Sequence, residues 1–255
     1  MNGTLRLKTI VLGSKTVAED IFFTPPFKLY SPFYENCTAK FISMCAAAGM
    51  LAGDRNEISL DIGKGCNVHF TDQGYQKLFD TNGSCSEQKV NICVGENASL
   101  KYLPHPIMTF GGCSHDAVNT VDIKSSSKLV FAEIYCCGRT AMGETFALKR
   151  FHSRTQIRID GKTDLIDNTL IEPEKFPVRK LGFFEGYTHT GILYAYTQKN
   201  LLTSDIQKIC DGTDSGTSAA CSKTEKGFTV RALSYSAEKI ERLFSNICKA
   251  FDLTY

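Results

Sequence analysis

Three stretches of the chain align without gaps: Asp61–Phe70 (DIGKGCNVHF), Cys93–Tyr102 (CVGENASLKY) and Asp122–Phe131 (DIKSSSKLVF). Each has Ile or Val at its second position, then a polar turn, a small residue at the sixth, Val or Leu at the eighth and an aromatic at the tenth. Ile62, Val68 and Phe70 thus correspond to Val94, Leu100 and Tyr102, and to Ile123, Leu129 and Phe131. The copies lie about thirty residues apart, the scale of a stacked repeat in which each unit buries its apolar face against the next. Period-two alternation broken at Gly63-Lys64-Gly65 and Gly95-Glu96-Asn97 predicts strands joined by tight turns. A weaker echo follows at Ile159–Leu165, with its turn at Gly161-Lys162, and another precedes at Val11–Val17. The pattern predicts a mainly β protein of stacked, solenoid-like or β-helix-like sheets.

The last sixty residues change character. Thr203–Cys210 has helical spacing and ends at Asp211-Gly212; the polar stretch Thr213–Lys226 reads as a mobile loop. Phe228–Ser234 alternates as a strand. Ser236 then caps a helix whose apolar positions Ile240, Leu243, Phe244, Ile247 and Phe251 share one face. The few helices therefore fall in the C-terminal third. The whole reads as a single domain over 1–255, with a β-rich stack over 1–200 and a helix-strand-helix portion over 201–255.

Two features interrupt the alternation between Lys101 and Phe146. In Leu103-Pro104-His105-Pro106-Ile107, two prolines fix their own φ and hold the preceding residues extended, which predicts a stiff corner at a strand end. Further on, Glu133 stands inside the apolar run Leu129–Tyr135. A carboxylate in a run buried on both faces needs a partner or a polar channel, because a lone buried charge is too costly.

Composition narrows the function. With 255 residues, 42% hydrophobic, 22% charged and a net charge of +2, the chain has an ordinary soluble-protein balance and lacks the basic excess of a nucleic-acid binder. No apolar run approaches the ~18 residues of a membrane span, and the N-terminal stretch has no secretory pattern, so a cytoplasmic location is expected. Eleven cysteines in an unsignalled chain of this size read as reduced, small hydrophobic residues rather than a disulfide framework. Metal-ligand spacing is poor: there is no CxxC pair. Cys66-x-x-His69 would split across a strand's faces, whereas Cys113-x-His115 would share one. No GxSxG elbow, phosphate loop or HExxH motif is present.

The blocks FFTPPFKL (22–29), GMLAGD (49–54), TDQGYQKL (71–78), the YLPHPI corner (102–107), EI…GR…GE (133–144) and GYTH (186–189) occur in the order seen in the urease accessory protein family UreD, which the chain resembles almost end to end. Its Helicobacter-type UreH branch is the nearest likeness. The chain departs from many members in having no tryptophan and in carrying His105 where they have Gln. The resemblance implies a non-catalytic chaperone or adaptor. It would bridge apo-urease to UreF and, through UreF, to the GTPase UreG, with no permanently bound cofactor and with nickel in transit.

A protein that passes nickel on should not hold it tightly, since a closed Cys/His site would trap a metal so high in the Irving–Williams order. Asp54 and Glu133 match acidic positions of the family's motifs and are the first passage candidates, with His105 and the cysteines as softer donors. Asp54 also reads as a turn cap, the reading favoured over passage there, and Glu133 as half of an ion pair with Arg139 or Arg150. Arg139 and Glu144 read as residues that shape their loop. Two other functions compete: an independent Cys/His metal-binding protein, and a β-helical polysaccharide-acting enzyme with stacked acids. Asp61 and Asp122 occupy equivalent positions for such an acidic ladder, but Cys93 interrupts it.

Overall fold

The repeats become successive rungs of two facing sheets in a computed structural model, which describes residues 1–198 and 203–250. The strands are β1 (Asn2–Leu12), β2 (Lys15–Phe23), β3 (Phe27–Leu29), β4 (Phe33–Glu35), β5 (Thr38–Cys45) and β6 (Arg55–Ile62). They continue as β7 (Asn67–Asp72), β8 (Gln76–Leu78), β9 (Ser86–Val94), β10 (Ser99–Tyr102), β11 (Ile107–Thr109) and β12 (Ser114–Ile123). Then come β13 (Lys128–Cys136), β14 (Arg150–Ile159), β15 (Lys162–Ile171), β16 (His189–Tyr196), β17 (Thr217–Lys223) and β18 (Phe228–Ser234). Two α-helices, α1 (Thr203–Asp211) and α2 (Ala237–Ala250), both fall in the C-terminal third.

The first sheet runs β15-β14-β12-β9-β6-β1-β2, the second β17-β18-β16-β13-β10-β7-β5-β3, with β4, β8 and β11 attached to the second. Each sequence repeat spans the end of a strand in the first sheet, a turn, and a strand in the second. Parallel pairing therefore places Ile62, Val94 and Ile123 side by side, and likewise Val68, Leu100 and Leu129. Phe70, Tyr102 and Phe131 stack with ring centroids 5.7 and 5.2 Å apart. The turns need glycine where two rungs touch: a Cβ on Gly63 would run into the Thr9 carbonyl of the adjoining strand.

The flanking echoes are not further rungs. Val11–Val17 is the β1–β2 hairpin and Ile159–Leu165 the β14–β15 hairpin, both antiparallel within the first sheet. The left-handed Asp160 and Gly161 fold β14 straight back on itself, so the chain never crosses to the second sheet there. A second correction concerns Thr213–Lys226: this stretch contains β17, an edge strand paired antiparallel to β18.

Both helices pack on the outer face of the second sheet. Ile240, Leu243, Phe244 and Ile247 of α2 meet Val130, Ala132, Ile134, Leu193 and Val230 in one buried cluster; Phe251 lies outside the described residues. This covering layer explains why β13 is buried on both faces.

Candidate functional site

Alternation along β13 decides where Glu133 points. Val130, Ala132 and Ile134 belong to the cluster beneath the helices, while Leu129 and Phe131 belong to the core between the sheets. Glu133 therefore faces the first sheet from within the stack and is only 5% exposed. Its carboxylate accepts hydrogen bonds from Asn119 Nδ2 at 2.9 Å, Tyr135 Oη at 2.7 Å, Thr155 Oγ1 at 3.1 Å and Ser153 Oγ at 3.4 Å. Burial raises its pKa, and the hydrogen bonds from Tyr135, Asn119 and Thr155 work in the opposite direction. Neither arginine expected as a partner reaches it. Arg139 pairs with Glu144 at 2.5 Å, and Arg150 with Asp116 at 2.5 Å and Glu172 at 3.4 Å.

Glu133 belongs to a polar layer that crosses several rungs just above the aromatic stack. On the first sheet Asn119, Thr155 and Asp167 are register neighbours. On the second, Ser43 adjoins Asp72, and Glu133 of β13 and Arg231 of β18 lie in one row with the buried, apolar Ile192 of β16 between them. Strands in a solenoid run across its axis, so side chains at one level of successive strands form a row along that axis.

The layer opens at one side into a cavity of about 390 Å³ whose lining includes Ser43, Asp72, Gln76, Tyr102, His105 and Glu133. Asp72 has its carboxyl pushed up to about 7, chiefly by burial, against the opposing effects of His105 and Ser43. His105 sits on the proline corner, with Nδ1 3.3 Å from Glu241 Oε1 of α2, near enough for an ion pair but off-line for a directed hydrogen bond. Contact with Glu241 raises its pKa, and burial opposes that rise. A second cavity of about 310 Å³ adjoins the first and shares Cys45, Met50 and Asn56 with it.

Asp54 lines that second cavity. It is also a turn cap: Oδ2 accepts the Leu51 N–H at 2.8 Å, and Oδ1 pairs with the N-terminal ammonium. Glu133 and His105 thus share one cavity, and Asp54 stands in the next.

Other candidates separate. Asp61, Cys93 and Asp122 are register neighbours, but on the outer side of the first sheet, where Asp122 is held by Arg158. The ladder's acids are thus broken by a thiol. Cys113 and His115 are both buried. His115 is kept neutral by burial, its pKa lowered to about 4, and its Nδ1 meets Ser86 Oγ at 2.8 Å. Among the described residues no group of three or more His, Cys, Asp or Glu side chains is arranged to hold a metal ion.

The sequence reading passed over Asp72, Asn119, Asp167 and Arg231. A signal for Asp72 was present: it continues the inward series Val68, Phe70 by period two, so a carboxylate falls on the apolar face. Asp167 sits similarly among Leu165, Ile166 and Ile171, but β15 follows a hairpin whose register shift hides its facing.

Fold and site together define a β-solenoid with helices on one side and a carboxylate-bearing polar layer inside it. The sequence model of the UreD urease accessory protein family matches residues 1–254, and the chain belongs to this family. The urease accessory protein UreH of Helicobacter pylori strain P12 is 36% identical over 187 residues, covering 72% of this chain and 71% of that protein. UreH of Helicobacter hepaticus is 29% identical over 237 residues, 92% of this chain and 93% of the relative. UreD of Acetivibrio thermocellus is 29% identical over 248 residues, 95% and 94% respectively. Membership assigns the chain an accessory role in urease maturation.

Proposed function

We propose that the chain is a non-catalytic adaptor that joins apo-urease to UreF and, through UreF, to UreG, and that nickel bound for urease passes along its interior polar layer. The observation that carries this reading is Glu133: a carboxylate deep between two sheets, hydrogen-bonded to the neutral donors Asn119, Tyr135, Ser153 and Thr155 and adjoining an open cavity. Evolution of a stable core favours apolar side chains at such a place, so an acid held there by neutral hydrogen-bond donors points to a cation that visits.

The chemistry suits passage rather than storage. Single carboxylates flanked by amide and hydroxyl groups offer a partly hydrated Ni²⁺ a few oxygen contacts at a time, enough to replace lost water without a deep trap. Asp54 and Asp72 place acids in the two adjoining cavities; Asn119, Ser153 and Thr155 continue the polar wall from Glu133.

The test is co-expression of urease subunits with all accessory proteins, with and without this chain. Omission is expected to leave urease nickel-poor and the UreF–UreG pair absent from purified urease. Full nickel loading without the chain would overturn the proposal.

A further inference from the structure

The polar layer ends at the C-terminal side of the stack in an ion pair of unequal burial. Asp167 on β15 is 1% exposed, whereas the Arg231 side chain on β18 is 59% exposed, and the guanidinium contacts Asp167 Oδ1. Strand alternation explains the placement. Phe228, Val230 and Ala232 face the helices, so Arg231 lies on the inward side of the second sheet. There it spans the gap to the first sheet, from β18, one strand in from the edge strand β17, to β15, the edge strand of the first sheet. Thr169 Oγ1 donates to the second Asp167 oxygen at 3.0 Å. Asp167 neighbours Thr155, which also donates to Glu133, and its charge is felt at Glu133.

We infer that Arg231 is a guanidinium plug: it stands where a passing divalent cation would meet Asp167 and closes the far end of the polar layer until it swings into solvent. This rests on the passage reading and adds an end point and a gate to it. An arginine suits the task. Its charge satisfies the buried carboxylate at rest, and its exposed, flexible stem lets it leave without unfolding either strand. A second tether, Asp164 with Tyr194 at 2.6 Å and Thr224 at 2.6 Å, keeps β15 joined to the second sheet and to the β17–β18 turn when Arg231 moves.

The test is Ni²⁺ binding to the full chain by equilibrium dialysis. Arg231→Gln is expected to raise Ni²⁺ affinity by at least about tenfold, because Asp167 loses its resident cation, and Arg231→Gln/Asp167→Asn is expected to return it to the starting value. Arg231→Lys, which keeps the charge but loses the fork, is expected to fall between and serves if the glutamine variant does not fold. A folded Arg231→Gln or Arg231→Lys with unchanged affinity overturns the plug, as does a gain that survives Asp167→Asn. Nickel content of urease activated with Glu133→Met is measured separately. Loss there with no gain at Arg231 removes the gate and leaves the passage. A gain at Arg231 with full loading through Glu133→Met removes the passage instead.

Discussion

Asp72 makes the energetic cost of the interior acids measurable. Moving a carboxyl from its ordinary 3.8 to about 7 corresponds, at about 1.4 kcal/mol per pKa unit, to a ceiling of about 4 kcal/mol. The cavity beside Asp72 is open to water, so a cost of about 1–4 kcal/mol is expected. The sign follows from proton binding. Below 3.8 folded and unfolded chains both hold the proton, and Asp72 does not affect the balance. Between 3.8 and about 7 the folded chain keeps a proton that the unfolded chain has lost, so stability falls as pH rises. Above that window the whole cost is present. Asp72→Asn abolishes the titration, so it should match the parent near pH ~4 and exceed it by that amount near pH ~8. With no tryptophan in the chain, urea unfolding followed by far-ultraviolet circular dichroism at several pH values is the suitable assay. A stability difference that does not change with pH would refute the reasoning.

Two further outcomes test the stack and its thiols. Tyr102→Ala removes the middle ring between Phe70 and Phe131 and is expected to cost about 3–5 kcal/mol, while Tyr102→Phe keeps the ring and should cost about 1 kcal/mol or less; equal urea midpoints for the two would contradict the stacked rung. Cys37, Cys45 and Cys93 are exposed, whereas burial pushes Cys113 and Cys137 up to about 12, so a thiol reagent at pH ~8 should modify the exposed group quickly and the buried group only in denaturant. Denatured protein should then titrate to all eleven cysteines, and a shortfall would reveal an oxidised pair.

The rungs were legible because their facing is encoded locally. Ile62, Val68 and Phe70 recur as Val94, Leu100 and Tyr102 at the same spacing, and parallel in-register stacking turns that linear repeat directly into neighbours. The hairpins at Val11–Val17 and Ile159–Leu165 share the local pattern, and only the direction taken after the turn distinguishes them from rungs. β17 was missed because Ser218, Ser222 and Lys223 are polar on an edge strand whose stability comes from pairing with β18. Glu133 was visible as an acid in an apolar run, but its partners were not: Asn119, Ser153 and Thr155 lie on the opposite sheet, and no local spacing connects them to it. Asp167 and Arg231 are separated by 64 positions, so their pairing emerges only from closure of the stack.

The central claim is that nickel travels through the interior rather than merely past a scaffold. The most direct measurement is nickel per urease active site after activation with Glu133→Met, a substitution close in volume, with capture of UreF and urease quantified on the same samples. Retained capture with severalfold lower nickel is the expected result, and full nickel loading by the well-folded variant would contradict the account.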